Sequence, residues 1–139
     1  MLQFLLDTDH LTLLEHHHPA VTRQVSQQPI GAVGLCAVTV EESLRGRLTS
    51  IAQAQDGTGC INRNARLVGS LRLFERYPIA PFDQAAENEY QKIRALHLRV
   101  GTRDQKIAAI ALASNLTMVT RNRRDFGQVT GVIIVDWSV

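Results

Sequence analysis

Four acidic residues are distinguished by where they fall: Asp7 in LLDTDH, Glu42 in VTVEES, Asp104 in GTRDQKIAAIAL and Asp125 in VTRNRRDF. Asp7 follows an apolar run, and the other three lie within a few residues of an expected helix start. Carboxylates brought into one crevice repel one another and raise each other's pKa values, so four bare anions need a counter-cation. An all-oxygen set suits Mg²⁺ or Mn²⁺, and the chain has no His/Cys spacing of the kind zinc uses. Divalent ions held in this way activate a water and stabilise the leaving oxygen of an in-line displacement at phosphorus, so phosphodiester hydrolysis is the matching chemistry.

Each acid also has a local explanation. Thr39 with Glu42 has capping-box spacing, Thr102 precedes Asp104 and Gln105 in a similar pattern, and Asn122 can cap a short turn that carries Asp125. Capping alone does not require helices from distant parts of the chain to begin on one edge with carboxylates in their first turns. The joint pattern therefore favours a metal site. Seven of the 15 Lys and Arg residues cluster in sequence around Glu42, Asp104 or Asp125, namely Arg45, Arg47, Arg103, Lys106, Arg121, Arg123 and Arg124. Guanidinium groups beside such a centre, Arg45, Arg103, Arg121, Arg123 and Arg124 among them, can hold RNA phosphates bidentately and position a strand without reading its sequence. Arg63, Arg66, Arg72 and Arg76 form a second series, for which a solvated helix face is at least as good a reading as an RNA track.

The elements that must position these residues follow from apolar patterning. Gln3–Leu6, Val33–Val38, Leu116–Thr120 and Val132–Val135 have strand length, with Tyr77–Ala80 a weaker candidate. Helical spacing joins Val40, Leu44, Leu48 and Ile51, and again Ile61, Ala65, Val68, Leu71 and Phe74. Asp83 should cap a helix carrying Ala86, Tyr90 and Ile93, with Gly101 closing the turn after it. Ile107–Ala113 is apolar nearly all round, which predicts a deeply buried helix. Alternating strands and helices imply a three-layer α/β/α sandwich with a central, mainly parallel sheet of about five strands. Its functional crevice should lie beyond the carboxyl ends of the strands.

Composition is consistent with this and excludes other classes. A chain of 139 residues with 45% hydrophobic and 20% charged residues suits one compact domain, residues 1–139. A charge of +2 permits a nucleic-acid partner without requiring one. The longest apolar run, Ile107–Ala113, is far below the roughly 20 residues that span a bilayer, and no cleavable leader is evident, so a cytoplasmic protein without a membrane partner is expected. Cys36 and Cys60 suggest neither a disulfide framework nor a zinc site. His16, His17 and His18 read as a surface helix end before Pro19. Asp56-Gly57-Thr58-Gly59 reads as a turn before the long helix, and Trp137 as a packing anchor.

At this point the chain resembles a known family over essentially its whole length. LLDTDH, TVEESLRG, GTRDQKIAAIALA and MVTRNRRDF, in that order and followed by VDW, resemble the PIN-domain endoribonucleases of the VapC toxin type from type II toxin–antitoxin pairs. The resemblance implies Mg²⁺-dependent RNA cleavage, with Mn²⁺ as a substitute, and Asp7, Glu42 and Asp104 as the central acids. Asn122 stands where many PIN domains carry aspartate, which leaves Asp125 to ligate through water or to orient Asn122. Thr8, Asp9 and Thr120 are candidates to support the metal-binding residues, although Asp9 can instead cap the first helix. Cys36 stands where relatives often have serine. Arg103 stands where a small or neutral residue is common, placed to lower the pKa of Asp104 or to compete with the metal. The resemblance further implies a homodimer and a VapB-like antitoxin whose arginine enters among the carboxylates. A PIN-like module that binds RNA or protein without cleaving is the main alternative; a phospho-receiver domain needs a late lysine and a phosphorylatable mid-chain aspartate, and the spacing around Glu42 and Asp104 fits it poorly.

Overall fold

The computed structural model describes residues 1–139 as a five-stranded, all-parallel sheet with helices on both faces. In chain order the elements are β1 (Phe4–Leu6), α1 (Thr8–Glu15), α2 (Pro19–Ser26), β2 (Val33–Cys36), α3 (Ala37–Ala52) and α4 (Gly57–Phe74). There follow β3 (Ile79–Ala80), α5 (Gln84–Ala95), α6 (Thr102–Ala113), β4 (Thr117–Val119), α7 (Arg123–Phe126) and β5 (Ile134–Val135). The strand order is β3-β2-β1-β4-β5. Leu5 stands between Gly34 of β2 and Met118 of β4. The chain therefore leaves β1 toward one edge and later returns to its other side, which makes the β1/β4 boundary the place where a ligand crevice opens in such sheets.

Successive strand residues point to opposite faces and so divide the core in two. Leu5, Cys36 and Met118 pack with Tyr90 and Ile93 of α5, with Ile107–Ala111 of α6 and with Phe126. Leu6, Leu35 and Val119 pack on the other face with Leu11, Leu14, Val21, Phe74 and Trp137. The uninterrupted burial of Ile107–Ala111 bears out the deeply packed helix expected there. Trp137 is buried as an anchor, its ring 5.0 Å from that of Phe4. Gly34 has a specific task, because a Cβ there would lie 2.6 Å from Leu2 Cδ1 and 2.7 Å from the Pro78 carbonyl oxygen.

Several local expectations need correction. The second apolar run stops being a strand at Cys36, and Val38 already belongs to α3. Thr39 with Glu42 is not a capping box: the N-cap of α3 is Cys36, whose Sγ accepts the Thr39 N–H at 3.4 Å. Gly101 does not close α5; it is the N-cap of α6, and Gln105 Nε2 reaches back to the Val100 carbonyl. The histidine run does end α1 at the surface, with His16 its C-cap, and what the sequence reading lacked is the helix that follows at once. His17 adopts a left-handed backbone (φ 57°), and His18 Nδ1 caps α2, which opens on Pro19. The long helix α4 forms as expected, but its apolar stripe is largely open, with Ile61 68% and Val68 46% exposed. Asp83 caps α5 as read from sequence, accepting the Ala86 N–H at 3.0 Å. No helix is long and apolar enough to cross a membrane.

Candidate active site

Asp7 ends β1 and caps α1, so the strand fixes its position and the helix start supplies donors to its carboxylate. Its Oδ1 accepts the His10 N–H at 2.7 Å and faces His10 Nδ1 at 3.3 Å, while Oδ2 accepts the Thr120 hydroxyl at 2.6 Å. Thr120 follows β4, and its hydroxyl oxygen in turn accepts the Asn122 N–H at 2.9 Å. The imidazole of His10 is fully buried. Its Nε2 accepts the Trp137 N–H at 3.3 Å and lies 3.4 Å from Asp136 Oδ1. Burial raises the Asp136 carboxyl, but the Ser138 hydroxyl and N–H, with His10 and Arg121, outweigh it and hold the group below the ordinary range. The C-terminal segment thus braces the first acid from behind.

The remaining acids reach the same place from other layers. Asp7, Glu42 and Asp104 line one hollow of about 390 Å³, together with Thr8, Asp9, Arg121 and Asn122. The Thr8 hydroxyl donates to Glu42 Oε2 at 3.2 Å and so ties α1 to α3. Asp104 sits in the first turn of α6, beside the buried Ile107 that anchors that helix. Burial pushes the Asp104 carboxyl above its usual range, and the charges of Asp125, Asp7 and Glu42 push it further, in that order.

Arg103 offsets this rise only in part. Arg103 thus lowers the Asp104 pKa, as expected, without cancelling the rise, because its guanidinium turns to Glu42 Oε1 at 3.3 Å. Asp125 is held at the rim. Asn122 Oδ1 accepts its N–H at 3.2 Å and Asn122 Nδ2 donates to its Oδ2 at 3.0 Å, so Asn122 orients Asp125.

The flanking residues divide. Asp9 does not cap α1; it is exposed and takes a bidentate contact from Arg121 at 2.7 and 2.9 Å. Asp7, Asp9 and His10 offer ligand atoms within 4.8 Å of one another, yet both imidazole nitrogens already face protein partners and Asp9 is bound by arginine. That trio is therefore a poorer metal cradle than the three acids of the hollow. Arg45 pairs with Glu41 one helical turn away, and Arg123 and Arg124 are exposed on α7. Two of the seven clustered cations point elsewhere: Arg47 binds Glu15 at 2.8 Å and Ser70 at 3.0 Å, and Lys106 lies over the rings of Phe82 and Tyr90.

Sequence reasoning did not single out His10 as a brace. Its only signal was the spacing Asp7-x-x-His10, in which an N-cap residue and the third residue beyond it meet across the first turn. The Cys36 thiol is buried and pushed upward by desolvation, so it serves as a protonated cap and not as a nucleophile.

The PIN domain family pattern matches residues 4–132. The chain is a PIN domain protein. This PIN domain chain is 30% identical to the tRNA(fMet)-specific endonuclease VapC of Shigella flexneri over 99% of its own length and 100% of that protein. It is 28% identical to the protein of the same name from Salmonella typhimurium, over 99% of both. Among solved structures, a chain of DNA-bound VapBC from Salmonella typhimurium superposes with a TM-score of 0.77 at 26% identity, covering 99% of each chain. The likeness to VapC chains therefore spans sequence and fold together.

Proposed function

We propose that this PIN domain chain, acting as one domain over residues 1–139, is a divalent-metal-dependent endoribonuclease and the toxin member of a VapBC-type pair. The observation that carries this reading is the convergence of Asp7 from β1, Glu42 from α3 and Asp104 from α6 in one polar hollow. The names of the relatives, tRNA endonuclease and VapBC, point the same way.

The residues fit a hard cation. Every acid that faces the hollow offers carboxylate oxygen, and Asp104, raised first by burial, is raised further by the charges of Asp125, Asp7 and Glu42, a repulsion that Arg103 offsets only in part. Asp7, Glu42 and Asp104 would hold Mg²⁺, or Mn²⁺ in its place, and Asp125 would add charge from the rim, directly or through water. When bound, the ion supplies an activated water and charge stabilisation at the phosphorus. Thr120, Thr8 and His10 fix the carboxylates so that they need not reorganise. Arg121 and Arg45 would exchange their exposed carboxylate partners, and Arg103 its half-buried partner Glu42, for RNA phosphates, and Arg123 and Arg124 would add charge along the rim.

The open apolar positions Ile61, Val68 and Leu71 on α4 suit a protein surface, in keeping with an antitoxin and a second copy of the chain as partners. An arginine from the antitoxin would neutralise the hollow where the cation should sit. The competing reading, a module that binds without cleaving, draws on the contact of Arg103 with Glu42.

The deciding experiment incubates purified, partner-free protein with total cellular RNA in Mg²⁺, in Mn²⁺ and in EDTA, beside an Asp7→Asn control. Discrete cleavage that needs both the metal and Asp7 is the expected result. Intact RNA with correctly folded protein would establish the non-cleaving reading.

A further inference from the structure

A second hollow, of about 470 Å³, lies beside the acidic one, and Glu42 lines both. Its floor is one stripe of α3, formed by Arg45, Gly46, Thr49, Ser50 and Gln53, and Arg103 stands at its border with the acids. From Glu42 to Gln53 the stripe runs roughly 16 Å at the rise of an α-helix, room for a few nucleotides. No apolar side chain lines it. Protein partners are usually gripped through an apolar core, whereas hydroxyls, an amide and two guanidiniums suit sugar and phosphate.

Gly46 is the informative residue. It lies inside the 16-residue α3 with ordinary helical backbone, and an added Cβ would meet nothing within 4 Å. Neither a left-handed turn nor the close approach of another segment requires glycine there, although glycine costs a helix up to about 1 kcal/mol relative to alanine. Gly69 of α4 is equally unconstrained, so what distinguishes Gly46 is its place: it lines the hollow that shares Glu42 with the acids, where a missing side chain leaves room for close approach from outside the chain.

We propose that this trench is the path of the single-stranded RNA flanking the scissile phosphate, with Gly46 as the low point over which the backbone passes. The inference rests on the nuclease reading above and adds the direction in which the strand leaves the acids. Arg45 and Arg103 take the phosphates. Arg45 is held only by the exposed Glu41, a pair that exchanges at little cost, while Arg103 faces the half-buried Glu42, whose carboxylate the cation would take. Thr49, Ser50 and Gln53 offer hydrogen bonds to sugars and base edges.

The test fills the trench without threatening the fold, since each substitution replaces glycine by a better helix former in open space. Gly46→Ala, Gly46→Leu and Gly46→Phe are compared with Gly69→Phe, a mid-helix glycine of α4 whose added Cβ also meets nothing within 4 Å. Binding of a fluorescent single-stranded RNA is measured by anisotropy in an Asp7→Asn background, and cleavage kinetics are measured with Asp7 intact. Increasing side-chain size at Gly46 should weaken RNA binding progressively, by about tenfold or more for Phe. KM should rise with kcat little changed, the pattern of lost uniform binding. Gly69→Phe should bind like its parent. Unweakened binding by Gly46→Phe, or an equal loss in Gly69→Phe, overturns the proposal, whereas absence of cleavage with the binding pattern intact would fault the nuclease reading alone.

Discussion

The Thr120 hydroxyl donates to Asp7 Oδ2 across 2.6 Å, joining the end of β4 to the end of β1 between residues 113 positions apart. The short distance is that of a charge-assisted bond, and the pair lies buried at the point where the strand order reverses. Thr120→Val should leave a buried carboxylate one donor short and cost about 1.5–3 kcal/mol of stability. Loss of a group that orients a metal-binding residue should also lower activity roughly 10- to 100-fold. Thr120→Ser should restore both. Denaturant melts and cleavage rates measured on the three proteins check this, and a Val variant as active as the parent would remove Thr120 from the site.

His10 braces the same carboxylate from the other side while holding the chain terminus through the Trp137 N–H. In His10→Asn the amide nitrogen can stand where Nδ1 does, whereas His10→Leu keeps the volume and loses both polar contacts. We expect Leu to weaken Mn²⁺ binding, read by titration calorimetry, and Asn to recover most of it. Leu14→Ala, a core change remote from Asp7, should lower stability and leave Mn²⁺ affinity alone. Equal Mn²⁺ affinities for the Leu variant and the parent would reduce His10 to a core residue.

Asp104 gives a pH dependence with a definite sign. Its native pKa is raised above the unfolded value of about 3.9, so between those two values the folded state binds more protons than the unfolded one. Its contribution to stability is therefore favourable at the acid end and is lost as pH rises through the native pKa. In EDTA, Asp104→Asn should raise the melting temperature near neutral pH, and the gain should vanish below about pH 4, where aspartate is protonated in both states. Saturating Mn²⁺ should stabilise the parent more than the variant. A variant that melts below the parent at neutral pH in EDTA would contradict the sign.

Much of this was legible because a parallel sheet buries its strands as plain apolar runs, so the ends of β1 and β4 could be placed with Asp7 and Thr120 beside them. Helix α6 was equally readable from Ile107–Ala113. Other features were hidden by chemistry that no residue spacing encodes. The three histidines do end α1, but Pro19 also opens α2, because its fixed φ suits a first helical position and His18 supplies the cap. Cys36 caps α3 with a thiol, a rare substitute for the serine hydroxyl, so the start of α3 was displaced to Thr39. The destinations of Arg47 on Glu15 and Lys106 on two aromatic rings depend on which helices become neighbours, and charge clustering along the chain carries no such information.

Asn122 offers a final test, because it holds Asp125 by two contacts that aspartate would change in opposite ways. Its Oδ1 accepts the Asp125 N–H at 3.2 Å, a contact that a carboxylate in its place would keep and strengthen as a charged cap on α7. Its Nδ2 donates to Asp125 Oδ2 at 3.0 Å, and Asn122→Asp replaces that bond with two facing carboxylates. Asp104 already feels Asp125 more than any other charge, so the added anion should sharpen the conflict in the hollow. The metal-free variant should melt below the parent despite the better cap. With Mn²⁺ the order should reverse, because the same charge that destabilises the empty set tightens the cation, and a ligand stabilises the folded state by RT ln(1 + [L]/Kd). Melting curves across a Mn²⁺ series, paired with calorimetric affinities, give the answer. Parallel curves for the two proteins would mean that position 122 does not communicate with the metal-binding acids and that Asp125 is only a turn residue.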